Sequence, residues 1–543
     1  MTSQATADLG RRRWWGLAVI TLSMVVIGLD TTVLNVALPT LAADLHASTG
    51  DLQWIVDSYV LVLAALMLPA GALGDRYGRR EWLIGGLVLF GAASAMAAWA
   101  GSIGVLIAAR VLLGVGAAVL TPLGMSMIPS MFPPEERQRA VVVLSVGMML
   151  GLPIGPLLGG YLLDSYWWGS IFLINVPISI CAAVASALLL PPSRSATIRR
   201  ADTAGAGLAL IGIGTLVYGL IEAPTHGWGG IRTLLGLGVG LVLLTGFALV
   251  ETRIAQPMLD LRLFGDPRFR TATIGVSLVG MALFGLLFVL PQYLQVIGGN
   301  NAFGTGLRLL PMIGGMLVGG AASDRLTSRI SARVGIAVGF LVLAVGLGVG
   351  SRVTAGSGYG LLAVSLTIVG VGFGIAMPTT LDVIMEALPK DDTGVGVAVA
   401  TTLRMVAGAF GVALLPSVLS SVYTGRVGDT ASTALAGLPA NLASAATSAA
   451  TDSVAGAAQV ANQLSTQGFG TAAAALRSGA FTAFTDGMSL VLVICAATAL
   501  IGAAVVAAFL PARPPEPDRG EGQPVEPDQV APAAPAAPAA PVG

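Results

Sequence analysis

Asp30, Asp57 and Arg110 each stand inside a run of apolar residues long enough to cross a bilayer. An ionised side chain placed in hydrocarbon costs roughly 2.5 to 3.5 kcal/mol on insertion scales, so a group kept there is paired, hydrated or at work. A carboxylate can take up and release a proton, and an arginine can hold a carboxylate ionised. If successive runs alternate in direction, Asp30 lies about eight residues below the outer end of the first, Asp57 about six below that of the second and Arg110 about seven below that of the fourth. At about 1.5 Å per residue the three share one depth, and a single polar cluster is expected. In it a proton and a cation compete through charge for the same carboxylate. The plainer alternative makes Asp30 and Arg110 a structural ion pair and Asp57 an interfacial residue.

The elements that must carry these groups are helices in a membrane. Of 543 residues 55% are hydrophobic and 10% charged, with a mean hydropathy of +0.84. Fourteen apolar runs are expected as spans, at 14–37, 51–73, 82–100, 103–127, 138–162, 170–190, 204–222, 231–250, 271–297, 305–323, 332–350, 357–379, 396–422 and 482–509. The first follows Arg11, Arg12 and Arg13 but lacks a small-residue cleavage site, so it reads as a retained anchor. Arginines gather in alternate loops: Arg76, Arg79 and Arg80; Arg137 and Arg139; Arg194, Arg199 and Arg200; Arg253, Arg262, Arg268 and Arg270; Arg325, Arg329 and Arg333. The positive-inside rule makes these loops and both termini cytoplasmic.

Several function classes are excluded. The single lysine, Lys390, is followed by Asp391, so no phosphate-binding P-loop exists. Neither a nucleophile elbow nor a His-Glu-x-x-His helix occurs, and an enzyme is not expected. Cys181 and Cys495 fall inside spans and His46 and His226 at span ends, which leaves no metal site and no disulfide framework. Formal net charge is zero, so nothing suggests nucleic acid.

The fifth run carries Gly147, Gly151, Gly155 and Gly159 at every fourth position, with Pro156 after the third. One helical face is thereby bare, open to a close neighbour that can slide or rock against it, or simply pack. A repeat is also visible. Gly71 to Arg80, with Asp75, Arg76, Gly78, Arg79 and Arg80, follows the second run, and Gly320 to Arg329, with Asp324 and Arg325, follows the tenth. Both place Asp-Arg at the end of a helix, either as a charge latch between two halves or as plain positive-inside topology. The chain then divides into a cytoplasmic N-terminus (1–13), a six-helix bundle (14–190), two extra helices with linkers (191–270), a second six-helix bundle (271–509) and a tail (510–543). An Ala, Ser, Thr and Gly-rich external loop at 424–480, with room for short helices, interrupts the second bundle. The Pro, Ala and acidic tail is expected to be disordered.

These segments together resemble the major facilitator superfamily, in particular its fourteen-helix drug:proton antiporters of the quaternary ammonium and multidrug type. Gly71 to Arg80 is similar to the loop motif after the second helix, and Arg110 with Gly114, Gly116 and Pro122 to the fourth-helix motif. Gly147 to Gly160 is similar to the fifth-helix antiporter motif, Leu29 to Pro39 to the first-helix motif and Trp54 to Tyr59 to a second-helix motif. One departure is Gly169, where the family usually has an arginine after the tryptophan, which leaves that outer anchor in question. The resemblance implies an all-α membrane protein of two six-helix bundles plus two extra helices. It would act as a monomer in the bacterial inner membrane, without cofactor, driven by protons moving inward as a lipophilic, cationic drug moves out. An exporter of one endogenous metabolite, antibiotic or lipid with the same proton coupling is the alternative.

On that reading Asp30, Asp57 and Arg110 couple the proton, while Trp54, Tyr59, Met281, Phe284, Phe288, Gln292 and Tyr293 join the two aspartates around the substrate. The latter five form a mixed aromatic and amide wall in the ninth span, suited to a flat cation, or to bundle packing. Glu222 is expected at the interface, and Arg404 is expected to form an inner structural pair with Asp382 or Glu386.

Overall fold

The computed structural model describes residues 3–193, 202–254, 261–329, 331–388, 393–436 and 440–511, nearly all of them helical. The N-terminal bundle comprises α1 (Ser3–Asp44), α2 (Thr49–Tyr77), α3 (Arg79–Ala98), α4 (Ile103–Met131), α5 (Pro134–Ser165), and the short α6 (Ser170–Leu173) that leads into α7 (Asn175–Leu189). A hairpin of α8 (Thr203–His226) and α9 (Ile231–Glu251) follows. The C-terminal bundle holds α10 (Pro267–Gln292), α11 (Ala302–Arg329), α12 (Ala332–Gly350), α13 (Tyr359–Glu386), α14 (Thr393–Ala434) and α17 (Gly470–Phe509), with α15 (Ala440–Asp452) and α16 (Val454–Thr466) between the last two. Every expected span falls on a helix. Among the described residues thirteen spans are long and apolar enough to cross a membrane, α6 and α7 counting as one. To these α5 adds a further helix of 32 residues.

Local chemistry sets the helix ends. Ser48 and Asp51 form a reciprocal capping box at α2, the hydroxyl accepting from Asp51 N at 3.2 Å and the carboxylate from Ser48 N at 2.9 Å. Asp266 caps α10 by accepting from Arg268 N at 2.6 Å and Phe269 N at 3.1 Å. Between α2 and α3 the chain reverses at Gly78, whose φ of +128° a side chain would resist.

The two bundles are related as repeats. In each, the first helix packs on the fifth or its counterpart, and across the molecule the second helix of one half meets the fifth of the other: α2 on α14 and α11 on α5, with α1 against α10. The α8–α9 hairpin is not detached, since α8 touches both α2 and α14. Two ends can be told apart: an arginine end, with the Arg76 to Arg80 turn, and a cap end, with α15 and α16.

The segment expected as a loop at 424–480 is largely helix. Rich in alanine, the best helix former, it extends α14 to Ala434, begins α17 at Gly470 and folds α15 and α16 back over the bundle. Tyr423 donates to Ala450 O at 2.8 Å and Thr49 to Asp452 O at 3.2 Å, which ties this cap to both halves. Burial, and then the neighbouring charge of Asp51, holds the Asp452 carboxyl above its ordinary range. The tail from 512 onward lies outside the described residues.

The glycine stripe of α5 turns out to be a seam inside the N-terminal bundle. A Cβ at Gly151 would stand 2.8 Å from Val25 O and 2.9 Å from Gly28 Cα of α1, while Gly155 abuts Thr32 and Gly159 abuts Val33. Gly147 continues the same face. The contact with the other bundle lies beside this stripe: Gly160 abuts Ala302, and Gly306 abuts the carbonyl of Pro156. Gly151→Leu therefore separates α1 from α5 instead of merely stopping a sliding motion. The expected loss is at least about 1–3 kcal/mol from overpacking, read as reduced protein in the membrane and a lowered melting temperature in detergent. Normal levels and melting with blocked transport would restore the sliding role.

Candidate transport site

Asp30 is fully buried in the middle of α1. Its Oδ2 accepts from Arg110 Nη1 at 2.6 Å and its Oδ1 from Asn175 Nδ2 at 3.3 Å. Arg110 also donates through Nε to Ile55 O at 3.1 Å and lies over the Tyr59 ring, 4.2 Å from its centroid. One ion pair thus ties α1, α2, α4 and α7 together. Tyr59 is wholly buried beneath the guanidinium, so in this structure it backs the ion pair.

Asp57 does not join this cluster. The shared depth expected from residue counting omits the direction around the helix. Asp57 is two residues from Tyr59, about 200° away, and so points to the opposite side of α2. It shares that side with Gln53, one turn nearer the cap end. Gln53 donates its amide to Val412 O at 2.9 Å, Ala413 O at 2.7 Å and Ser417 Oγ at 3.1 Å on α14. Asp57 therefore faces the α2–α14 seam. It is 0% exposed, and neither carboxylate oxygen has a hydrogen-bond partner among the described residues.

The expected aromatic wall splits among several environments. Met281 and Phe284 pack against Gly411 and Gly408 of α14. Phe288 and Gln292 line a small cavity beneath the cap with Thr49, Tyr423 and Val454. Tyr293 turns back into its own bundle, donating to Thr354 O at 3.2 Å. Trp54 faces the extra hairpin, its ring 6.4 Å from that of Tyr218 on α8. Glu222, at the cap end of α8, pairs with His226 at 2.8 Å. The expected pairing of Arg404 with Glu386 is absent, because Glu386 ends α13 at the arginine end and bonds Arg268 at 3.2 Å. Arg404 lies eleven residues into α14, about 16 Å from its start.

Hydrogen bonds between the bundles gather at the cap end. Asp164, at the close of α5, accepts from Asn301 Nδ2 at 2.6 Å, Ala302 N at 3.1 Å and Phe303 N at 3.1 Å. A carboxylate thus sits on the positive N-terminus of α11. Gln295 donates to Val36 O at 2.7 Å. At the arginine end Asp75 accepts from Arg79 Nε at 2.6 Å, and Arg79 reaches Ser193, so in this structure the charge pair lies within its own half. Arg80 bonds Ala187 O, and Arg76 lies over the Tyr77 ring. Arg325 is engaged at the end of α11, while the side chain of Asp324 lies outside the described residues. At Gly169, where an arginine was expected, a Cβ would strike the Ala98 carbonyl. The Trp167 indole anchors the turn to that carbonyl at 3.4 Å.

Asn175, Gln53 and Asp164 were missed in the sequence. The first two carried a usable signal, an amide within an apolar run. Among the described residues no three His, Cys, Asp or Glu side chains come together as a metal site.

Known proteins bear this architecture. The chain is 32% identical over 515 residues to the tetracenomycin C resistance and export protein of Streptomyces glaucescens, covering 94% of each. It is 32% identical over 503 residues to the multidrug efflux pump LfrA of Mycolicibacterium smegmatis, covering 92% of this chain and 97% of that one. A solved bacterial homologue of the human lysosomal transporter Spinster superposes with a TM-score of 0.62 at 16% identity, over 92% of this chain and 98% of the other. The sequence profile of the Major Facilitator Superfamily matches residues 20–412, and with the paired six-helix bundles this places the chain in that superfamily of membrane transporters.

Proposed function

We propose that the protein is a fourteen-span, proton-driven exporter that moves lipophilic small molecules, drugs or antibiotics, out across the bacterial cytoplasmic membrane by alternating access. The arginine end and both termini face the cytoplasm. Export is supported by the efflux and resistance relatives. Coupling is supported by one observation above all: Asp57, a carboxylate with no hydrogen-bond partner among the described residues, is buried in the α2–α14 seam that must open if the cap end is to part.

An ionised carboxylate with no partner is costly in such a place, whereas the neutral acid is tolerated. Opening of the cap end wets the seam and lets Asp57 load from outside, and closing carries that proton inward. Opening toward the cytoplasm then lets the proton leave as the substrate enters. Asp30, held by Arg110 and Asn175, keeps four helices moving as one body. Asp164 on the α11 N-terminus and Gln53 on α14 fasten the closed cap end. Each proton moving down the potential contributes about 2.3 kcal/mol per 100 mV.

The test is a panel of dyes and antibiotics in an efflux-deficient bacterium, with everted vesicles energised in the presence and absence of an uncoupler. Uphill uptake of several compounds that stops with the uncoupler is the expected result. One transported compound alone indicates a dedicated exporter. No transport, or transport indifferent to the uncoupler, overturns the proposal.

A further inference from the structure

Arg404 is a charged side chain deep in the C-terminal bundle that nothing so far employs. It makes no ion pair within 4 Å and no hydrogen bond among the described residues, and its Nε is buried without a partner. Facing lipid at this depth would be costly, so a half-buried arginine here belongs on the bundle interior. Its position is built for it. On α10 the facing residue is Gly280, where a Cβ would stand 2.7 Å from Arg404 Cγ. The space a side chain would take there is filled by the stem and carbonyl of Arg404, so α10 and α14 close on each other at this point. Side chains on helices lean toward the N-terminus, which for Arg404 is the direction of the arginine end of the seam. Two turns along α10 from Gly280, on the same face, is Thr273. It is 1% exposed, and its hydroxyl also lacks a partner among the described residues.

A guanidinium and a hydroxyl with unused capacity along one helix seam suit an oxyanion. Arginine offers planar, charge-assisted donors to a carboxylate or a phenolate. We propose that Arg404 and Thr273 form a subsite for an acidic group on the substrate, so that the preferred cargo is an aromatic molecule bearing a carboxylate or ionised phenol, not a simple cation. This deepens the export reading and rests on it for the word cargo. The binding site itself is tested without transport.

Fluorescein and rhodamine 123 share a xanthene ring and differ in charge, which makes them a matched pair of probes. Binding of each to the purified full-length protein is followed by fluorescence anisotropy, for the wild type, Arg404→Gln and Arg404→Lys. Loss of one charged donor set is expected to weaken fluorescein by about tenfold or more in Arg404→Gln. Arg404→Lys keeps the charge and recovers part of the loss. The ratio of the fluorescein to the rhodamine 123 dissociation constant rises in Arg404→Gln, which a general loss of packing would not cause. A wild type that ignores fluorescein, or a Gln variant in which both dyes weaken together, overturns the subsite. Should fluorescein bind through Arg404 while neither dye is pumped in energised vesicles, the subsite stands and the export reading falls.

Discussion

Replacing Asp57 with asparagine abolishes uphill accumulation of a pumped dye in energised everted vesicles while leaving its downhill equilibration intact. A proton crossing 100 mV supports roughly a 50-fold concentration ratio across the membrane. Without the group that loads the proton, the steady-state ratio falls to about one for an uncharged dye and to its passive electrochemical value for a charged one. Asparagine keeps the size and stays neutral at every pH, so the seam still closes around it. The sign of the pH response separates the two proteins. In the wild type the ratio grows as the side from which protons enter is acidified, and in Asp57→Asn it is flat. Asp57 is also a cleaner target than Asp30. Asp30 is bonded to Arg110 and Asn175, so its amide variant disturbs folding and coupling together. If Asp57→Asn still drives dye uphill, the proton must be carried elsewhere, and the seam carboxylate loses its role.

What could be read in the sequence, and what could not, follows from what each signal encodes. Apolar runs and breakers report helix position directly, so each span lands on an observed helix. The internal repeat likewise reports the paired bundles. Residue counting gave the depth of Asp30, Asp57 and Arg110, but depth is only one of two coordinates. The angle around α2 sends Tyr59 to the ion pair and Asp57 to the opposite seam. The same omission misplaced Trp54 and Tyr293, whose rings lie at a suitable height and point away from the centre, to Tyr218 and Thr354. The glycine face of α5 was legible as a close contact, but a bare face does not name its neighbour, which proves to be α1. Gln53 and Asp164 act only across the bundle interface, where partners 359 and 138 residues away decide their meaning.

The buried ion pair makes the second large prediction. Arg110→Met removes the cation and leaves the Asp30 carboxylate at 0% exposure with only Asn175 beside it. Removing one partner of a buried pair destabilises by about 3–5 kcal/mol. Against a total stability of the order of 5–15 kcal/mol this is enough to deplete folded protein from the membrane. The double variant, Asp30→Asn with Arg110→Met, has no charge left to strand, and Asn175 can still donate to the amide oxygen at position 30. At least half of the loss is therefore expected to return, a coupling that a double-mutant cycle isolates. Melting in detergent, with the amount of inserted protein as a second readout, measures all four corners. Additive losses would mean that the two residues stabilise the bundle independently. A full recovery of folding in the double variant, together with retained uphill transport, would assign the pair to holding α1, α2, α4 and α7 in place and leave Asp57 to handle the proton. Recovery of folding with coupling lost would return Asp30 to the proton path, because the only carboxylate changed in that variant is its own.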